Sequence, residues 1–277
     1  MGDKGRGGRL DWLPLAWKPG LSLRRHADGR VIGRFLSAHL TSLYQPIIEI
    51  ASDRVIGSEA FVRCHNADEV GLSPWNLFSL VADDDTLVGL DRLCRTLHVL
   101  NNPEPIEHDA LLFLNVHGRL LPAVAEDHGH AFRRVLMALD RPSANIVIET
   151  PTAACADPKL LAFVLSNYRL NGFKVGANVA SARDLESVLR EVRPNFVKID
   201  SRTFSKTDES FVFDRHQAGP EPAPLLRSWL LRVSRRAGRP GRCRYQLRTI
   251  LNSDNIAPGG SAQMARPIEN GDSDDGF

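Results

Sequence analysis

Apolar positions along the middle of the chain follow two periods. Residues 43–50 and 55–62 are strand-like runs, and Ala51-Ser52-Asp53-Arg54 between them predicts a hairpin. Ser73-Pro74 reads as an N-cap with proline at the first helical position, opening a helix through Leu80. Leu87, Leu90, Leu93, Cys94 and Leu97 recur at helical spacing, and Leu111-Leu112-Phe113-Leu114 is a continuous run of the kind buried on both faces. The alternation goes on with a helix over 132–139, a strand at 146–148, a helix opened by Asp157-Pro158, and a strand over 173–177. Leu185, Val188, Leu189 and Val192 predict a further amphipathic helix, and Phe196-Val197-Lys198-Ile199 the next strand. Strands alternating with helices of this length predict a parallel α/β architecture.

The ends differ from the middle. Residues 1–39 are expected to be a flexible arm, because MGDKGRGGR has no periodicity and Pro14, Pro19 and Gly20 punctuate the stretch after it. Past residue 200, Leu225, Leu226, Trp229, Leu230 and Val233 predict a helix, and residues 243–251 a weak strand. Residues 241–277 read as a divergent, disordered tail, which leaves 40–240 as the folded domain.

Charge sharpens this division. Residues 1–40 carry eight Lys/Arg against three Asp/Glu and residues 201–277 twelve against nine, leaving fifteen against twenty-one in between. An acidic centre argues against nucleic acid as a partner. The eight arginines of residues 225–248 read as a surface stretch or a basic patch, but Gly and Pro interrupt it and aromatic residues for base stacking are scarce. No apolar run reaches the roughly 18 residues of a spanning helix, and the first 35 residues lack a secretory apolar core. Four separated cysteines with no C-x-x-C pair fit neither a disulfide scaffold nor a thiolate zinc site. These features imply a cytoplasmic protein.

Candidate chemistry lies at strand ends. Glu59 sits within an apolar strand, Asn115 and Glu149 close two others, Asn178 ends a third, and Lys198 interrupts a fourth. In a parallel barrel such ends converge on one mouth. Oxygen ligands from successive strands suit Mg²⁺ or Mn²⁺ better than zinc. Asn178 reads as a turn residue and Asp83-Asp84-Asp85 as a solvated turn.

The ordered set Tyr44-Gln45-Pro46-Ile47, Gly57-Ser58-Glu59-Ala60-Phe61-Val62-Arg63, Leu72-Ser73-Pro74-Trp75-Asn76-Leu77-Phe78, Leu90-Asp91-Arg92, Phe113-Leu114-Asn115-Val116, Ile148-Glu149-Thr150 and Phe196-Val197-Lys198-Ile199-Asp200 resembles the EAL domain, the cyclic di-GMP phosphodiesterase family, over about residues 40–200. The resemblance implies a TIM-like eight-stranded barrel whose first strand is antiparallel, and a cyclic dinucleotide at the strand ends. It implies Glu59, Asn115 and Glu149 as metal ligands and Lys198 as the lysine near the reacting phosphate. It makes Gln45, Glu59, Phe61, Arg63 and Asn115 ligand-contacting positions.

The departures are as informative. Gly176-Ala177-Asn178-Val179-Ala180 stands where the family has paired aspartates, and Thr152 where it has a second glutamate. The family's two late segments are not found after Asp200. Two-metal hydrolysis needs bridging carboxylates to offset cation repulsion. The expectation is therefore a degenerate member with an incomplete barrel, weak or absent Mg²⁺ or Mn²⁺, and little hydrolysis. It would act as a signalling protein that binds cyclic di-GMP or a protein partner, with homodimerisation through an open edge; the competing expectation is a residual Mg²⁺/Mn²⁺-dependent phosphodiesterase.

Overall fold

The continuous apolar runs become the buried parallel strands. The computed structural model describes residues 10, 13, 20–49, 54–66, 71–102, 110–123, 129–200, 229–235 and 245–251. The strands are β1 (Leu21–Arg25), β2 (Val31–Phe35), β3 (Ala38–Glu49), β4 (Arg54–His65), β5 (Gly71–Leu72), β6 (Leu111–Asn115), β7 (Ile146–Thr150), β8 (Lys174–Val179), β9 (Phe196–Asp200), β10 (Trp229–Arg235) and β11 (Tyr245–Leu251). The helices are α1 (Pro74–Ser79), α2 (Asp84–Asn101), α3 (Leu120–Ala123), α4 (His130–Ala138), α5 (Pro158–Leu170) and α6 (Ala182–Glu191). None of the described helices is long and apolar enough to cross a membrane.

Helix starts follow their caps. Asp83 accepts from Thr86 N at 2.7 Å and opens α2, so Asp84 and Asp85 form a first helical turn rather than the solvated turn expected from three consecutive aspartates. Carboxylates are favourable there because the helix dipole is positive at that end. Asp157 and Ser181 cap α5 and α6 in the same way. Ser73 precedes α1 as expected, but its side chain makes no capping bond.

β4, β6, β7, β8, β9 and β10 run parallel, each paired with the next. β3 is antiparallel to β4, as the resemblance implies, and β11 is antiparallel to β10. β11 then pairs with β3 through Leu247 opposite Ile47 and Arg248 opposite Ile48, which closes eight strands into a ring. The described strands thus form a closed ring in place of the expected incomplete barrel: β11, antiparallel to β10, supplies the last strand alongside β3. Gly57 permits the β4–β6 seam, since a Cβ there would lie 2.2 Å from the Leu111 carbonyl oxygen.

Three further expectations are corrected. Trp229–Arg235 is a strand, not part of a helix; a short apolar run fits either period, and pairing with β9 decides it. Residues 21–35, expected to belong to a flexible arm, form the β1–β2 hairpin, which pairs with β3 through Gly33 opposite Leu40. Ala38 and His39, at the end of the expected arm, already belong to β3, and Tyr245–Leu251, within the expected disordered tail, form β11. Residues 1–9, 11, 12 and 14–19 of the arm, Leu225 and Leu226 of the expected helix, and residues 241–244 and 252–277 of the tail lie outside the described residues.

The core has two parts. Ile47, Phe113, Val147 and Phe196 fill the ring's lumen, with Phe113 and Phe196 edge-to-face at 5.0 Å. The larger cluster lies between the sheet and the helices. There α2 packs under the β1–β2–β3 extension, where Tyr44 Oη donates to the His98 carbonyl at 2.6 Å.

Candidate functional site

Strand periodicity builds the site on top of the lumen core. Side chains two residues apart face the same way, so Asn115 follows Phe113, Glu149 follows Val147 and Lys198 follows Phe196 towards the C-terminal mouth. Register completes the ring of polar groups. Gln45 stands opposite Glu59, Asn115 opposite Glu149, and Asn178 opposite Lys198. Gly176 lies opposite Glu149 and leaves room for it, since a Cβ there would come within 3.3 Å of Glu149 Cγ.

Four of the sequence-predicted residues meet in one hydrogen-bonded group. Lys198 Nζ donates to Glu59 Oε1 at 2.6 Å and to Glu149 Oε2 at 3.2 Å. Asn115 Nδ2 donates to the same Glu59 Oε1 at 2.9 Å. Both glutamates are 2% exposed. Buried carboxylates are costly unless a cation or donors meet them, and Lys198 with Asn115 do so. Burial pushes the Glu149 carboxyl up, the nearby Lys198 ammonium opposes this, and the Glu59 charge adds to the rise. Burial also works against the charge on Lys198, but the two carboxylates outweigh it and raise its value.

A cavity of about 970 Å³ opens from this mouth between β4, α1 and α2. Glu59, Asn115 and Lys198 form one end. Phe61 and Arg63 on β4, and Trp75 and Phe78 on α1, form its wall. His117 stacks on Phe78 at 5.1 Å, and the exposed Arg63 guanidinium stands 5.9 Å from the Phe61 ring. Gln45 and Glu149 belong to the mouth but not to the wall of this cavity.

Sequence reasoning assigned no role to Trp75 and His117 and misread Asn178. Trp75 is 75% exposed, and a large aromatic left out of the core in the first turn of a helix is the signal that marks it. Asn178 is not a turn residue: it lies within β8, and its Oδ1 is buried with no hydrogen-bond partner. The strand runs further than its apolar residues because β9 pairs with it as far as Val179.

The donor set can be weighed against a pair of divalent ions. Glu59 and Glu149 contribute two negative charges, and Asn115 and Asn178 contribute neutral oxygens. An ammonium already stands between the two acids. Among the described residues no group of three His, Cys, Asp or Glu is placed to hold a metal. Two adjacent divalent cations call for more carboxylate charge than these described residues supply, and the described residues by themselves do not fit such a pair.

A family model described as EAL domain matches residues 32–211. No curated protein matches the chain. Among solved structures, the fold is similar to the Bacillus subtilis YkuI protein, which has an EAL domain and is in complex with substrate c-di-GMP and calcium. That match has TM-score 0.55 and 21% identity and covers 70% of this chain and 47% of that one. It is also similar to Klebsiella pneumoniae BlrP1 in a manganese/cy-diGMP complex at pH 6, with TM-score 0.50, 18% identity, and coverage of 74% and 52%. The chain spans about half the length of these proteins.

Proposed function

The chain belongs to the EAL domain family, with residues 32–211 matched, and from that premise we propose that it serves cyclic di-GMP signalling by binding the dinucleotide at the barrel mouth with little or no hydrolysis. The observation that carries this reading is the cavity of about 970 Å³ running from Glu59, Asn115 and Lys198 to Arg63 and Trp75. Pockets of several hundred cubic ångströms suit ligands of nucleotide size. Lys198 and Arg63 supply positive charge towards phosphate oxygens, while Trp75, Phe78 and Phe61 offer apolar faces to a purine. The low expected turnover rests on the missing carboxylates: Asn178 stands on β8 and Thr152 after β7, so among the described strand-end residues of the mouth Glu59 and Glu149 bring the negative charge, while Asp91 on the cavity wall is already paired with Arg95.

Output then passes through binding rather than product, to a protein partner or a second copy of the chain in the cytoplasm. A second reading is favoured by the unpartnered Asn178 Oδ1, which together with the Glu59 and Glu149 carboxylates and the Asn115 amide oxygen gives four oxygen-bearing side chains for a single Mg²⁺ or Mn²⁺. That ion would support slow phosphodiester cleavage to the linear dinucleotide. Calorimetry with cyclic di-GMP, with and without Mg²⁺, followed by chromatography of the recovered nucleotide, separates the two. Binding with intact nucleotide supports the first reading, linear product the second, and no heat in either condition excludes both.

A further inference from the structure

Two buried carboxylates facing each other call for a cation, and this chain brings one of its own. Lys198 is carried on β9, with its Cα fixed opposite Asn178, and its side chain is 15% exposed. Its ammonium has three N–H donors. One reaches Glu59 Oε1 at 2.6 Å and a second Glu149 Oε2 at 3.2 Å. The third remains for an oxygen arriving from the cavity, on whose wall Lys198 lies. A hard divalent ion taking the same carboxylate oxygens would sit within a few ångströms of this ammonium and be repelled by it.

We propose that Lys198 is the resident cation of the mouth: its ammonium holds Glu59 and Glu149 where a divalent ion would, and anion binding is therefore indifferent to Mg²⁺ or Mn²⁺. Neutralising Lys198 turns the same group into a one-ion site, because it frees two carboxylates next to the Asn115 and Asn178 amides. The inference deepens the binding reading above and rests on the mouth being the functional site. Its test uses the metal alone, so a failed nucleotide titration and a failed metal titration are told apart.

The experiment titrates the full chain with MnCl₂ by calorimetry and follows thermal unfolding with and without the ion. The wild type is expected to show no saturable heat and no shift in midpoint, and Lys198→Arg to behave the same way. Lys198→Met is expected to bind one Mn²⁺ at least tenfold more tightly than the wild type and to unfold at a higher temperature when it is present. Adding Glu149→Gln to that variant should abolish the gain. Wild-type binding as tight as that of Lys198→Met, lost on Glu149→Gln, overturns the proposal; so does a folded Lys198→Met chain that binds no Mn²⁺. If Lys198→Met does not fold, Lys198→Gln is read in its place by the same outcomes.

Discussion

Asn101 and Val31 exchange a pair of hydrogen bonds. The Asn101 amide nitrogen donates to the Val31 carbonyl at 2.7 Å, and its oxygen accepts from the Val31 N–H at 2.8 Å. A side chain at the end of α2 thus takes the place of a neighbouring strand along β2, where Val31 is 1% exposed. This pair ties the β1–β2 hairpin to the helix beneath it.

Replacing Asn101 by alanine removes both bonds and leaves a buried N–H and C=O on Val31 without these partners. Unmet buried backbone groups cost about 1–3 kcal/mol each, so a loss of about 2 kcal/mol or more is expected in urea unfolding. An unchanged midpoint would show that the hairpin contributes nothing to the stability of the barrel.

This hairpin also marks where the sequence pattern misleads. The parallel strands β6 to β9 are legible because strands buried on both faces must be apolar throughout, as in Leu111–Leu114 and Ile146–Ile148. β1 and β2 face solvent on one side, so Arg24 and Arg34 alternate with Leu23, Gly33 and Phe35 and hide the pattern in a basic stretch. The signal is present: Asp28-Gly29 between two alternating runs is a hairpin signature, and Gly29 has φ +85°, which glycine adopts without strain. The mouth is legible only in part. Period two places Asn115, Glu149 and Lys198 on lumen-facing positions, but the bridge of Lys198 to two acids depends on barrel closure and register, which no local pattern encodes.

His98 makes stability depend on pH. Its ring is buried in α2, with Nδ1 2.7 Å from Ser42 Oγ, and burial lowers its pKa to about 3. In the unfolded chain a histidine titrates near 6.5. Between those values the unfolded state binds the extra proton, so stability is full above about pH 6.5 and falls as the pH drops towards 3. At pH 5 the deficit from this group is about 2 kcal/mol. Urea midpoints at pH 7.5 and pH 5 should converge in His98→Asn relative to the wild type; equal slopes in the two proteins would count against a neutral buried imidazole.

Asp91 and Arg95 form a buried ion pair one turn apart on α2. Arg95 also donates to Tyr168 Oη at 3.3 Å and stands 4.9 Å from the Phe132 ring, while Asp91 Oδ1 accepts from His117 N at 3.4 Å. Removing only the cation leaves a carboxylate uncompensated in the core. Arg95→Leu is therefore expected to cost about 3–5 kcal/mol. Asp91→Asn with Arg95→Leu should recover much of that loss, because a neutral amide needs no counter-ion and can still accept from His117. Thermal unfolding of the single and double variants measures the difference, and additive losses would mean the pair is not coupled.

Arg63 separates binding from folding. It is exposed on β4, its guanidinium donates to the Val62 carbonyl at 3.0 Å and lies by the Phe61 ring, and its side chain reaches no buried acid among the described residues. Nothing in the core depends on it, so Arg63→Ala should leave the unfolding midpoint within about 0.5 kcal/mol of the wild type. A charge-assisted bond to a phosphate is worth about 1.5–3 kcal/mol, so affinity for cyclic di-GMP should fall at least tenfold. The loss should shrink as salt is raised, since an exposed guanidinium acts on the phosphate through screened water. Calorimetry at two ionic strengths tests both expectations. Undiminished affinity in the variant would move the phosphate away from β4, towards Lys198 alone.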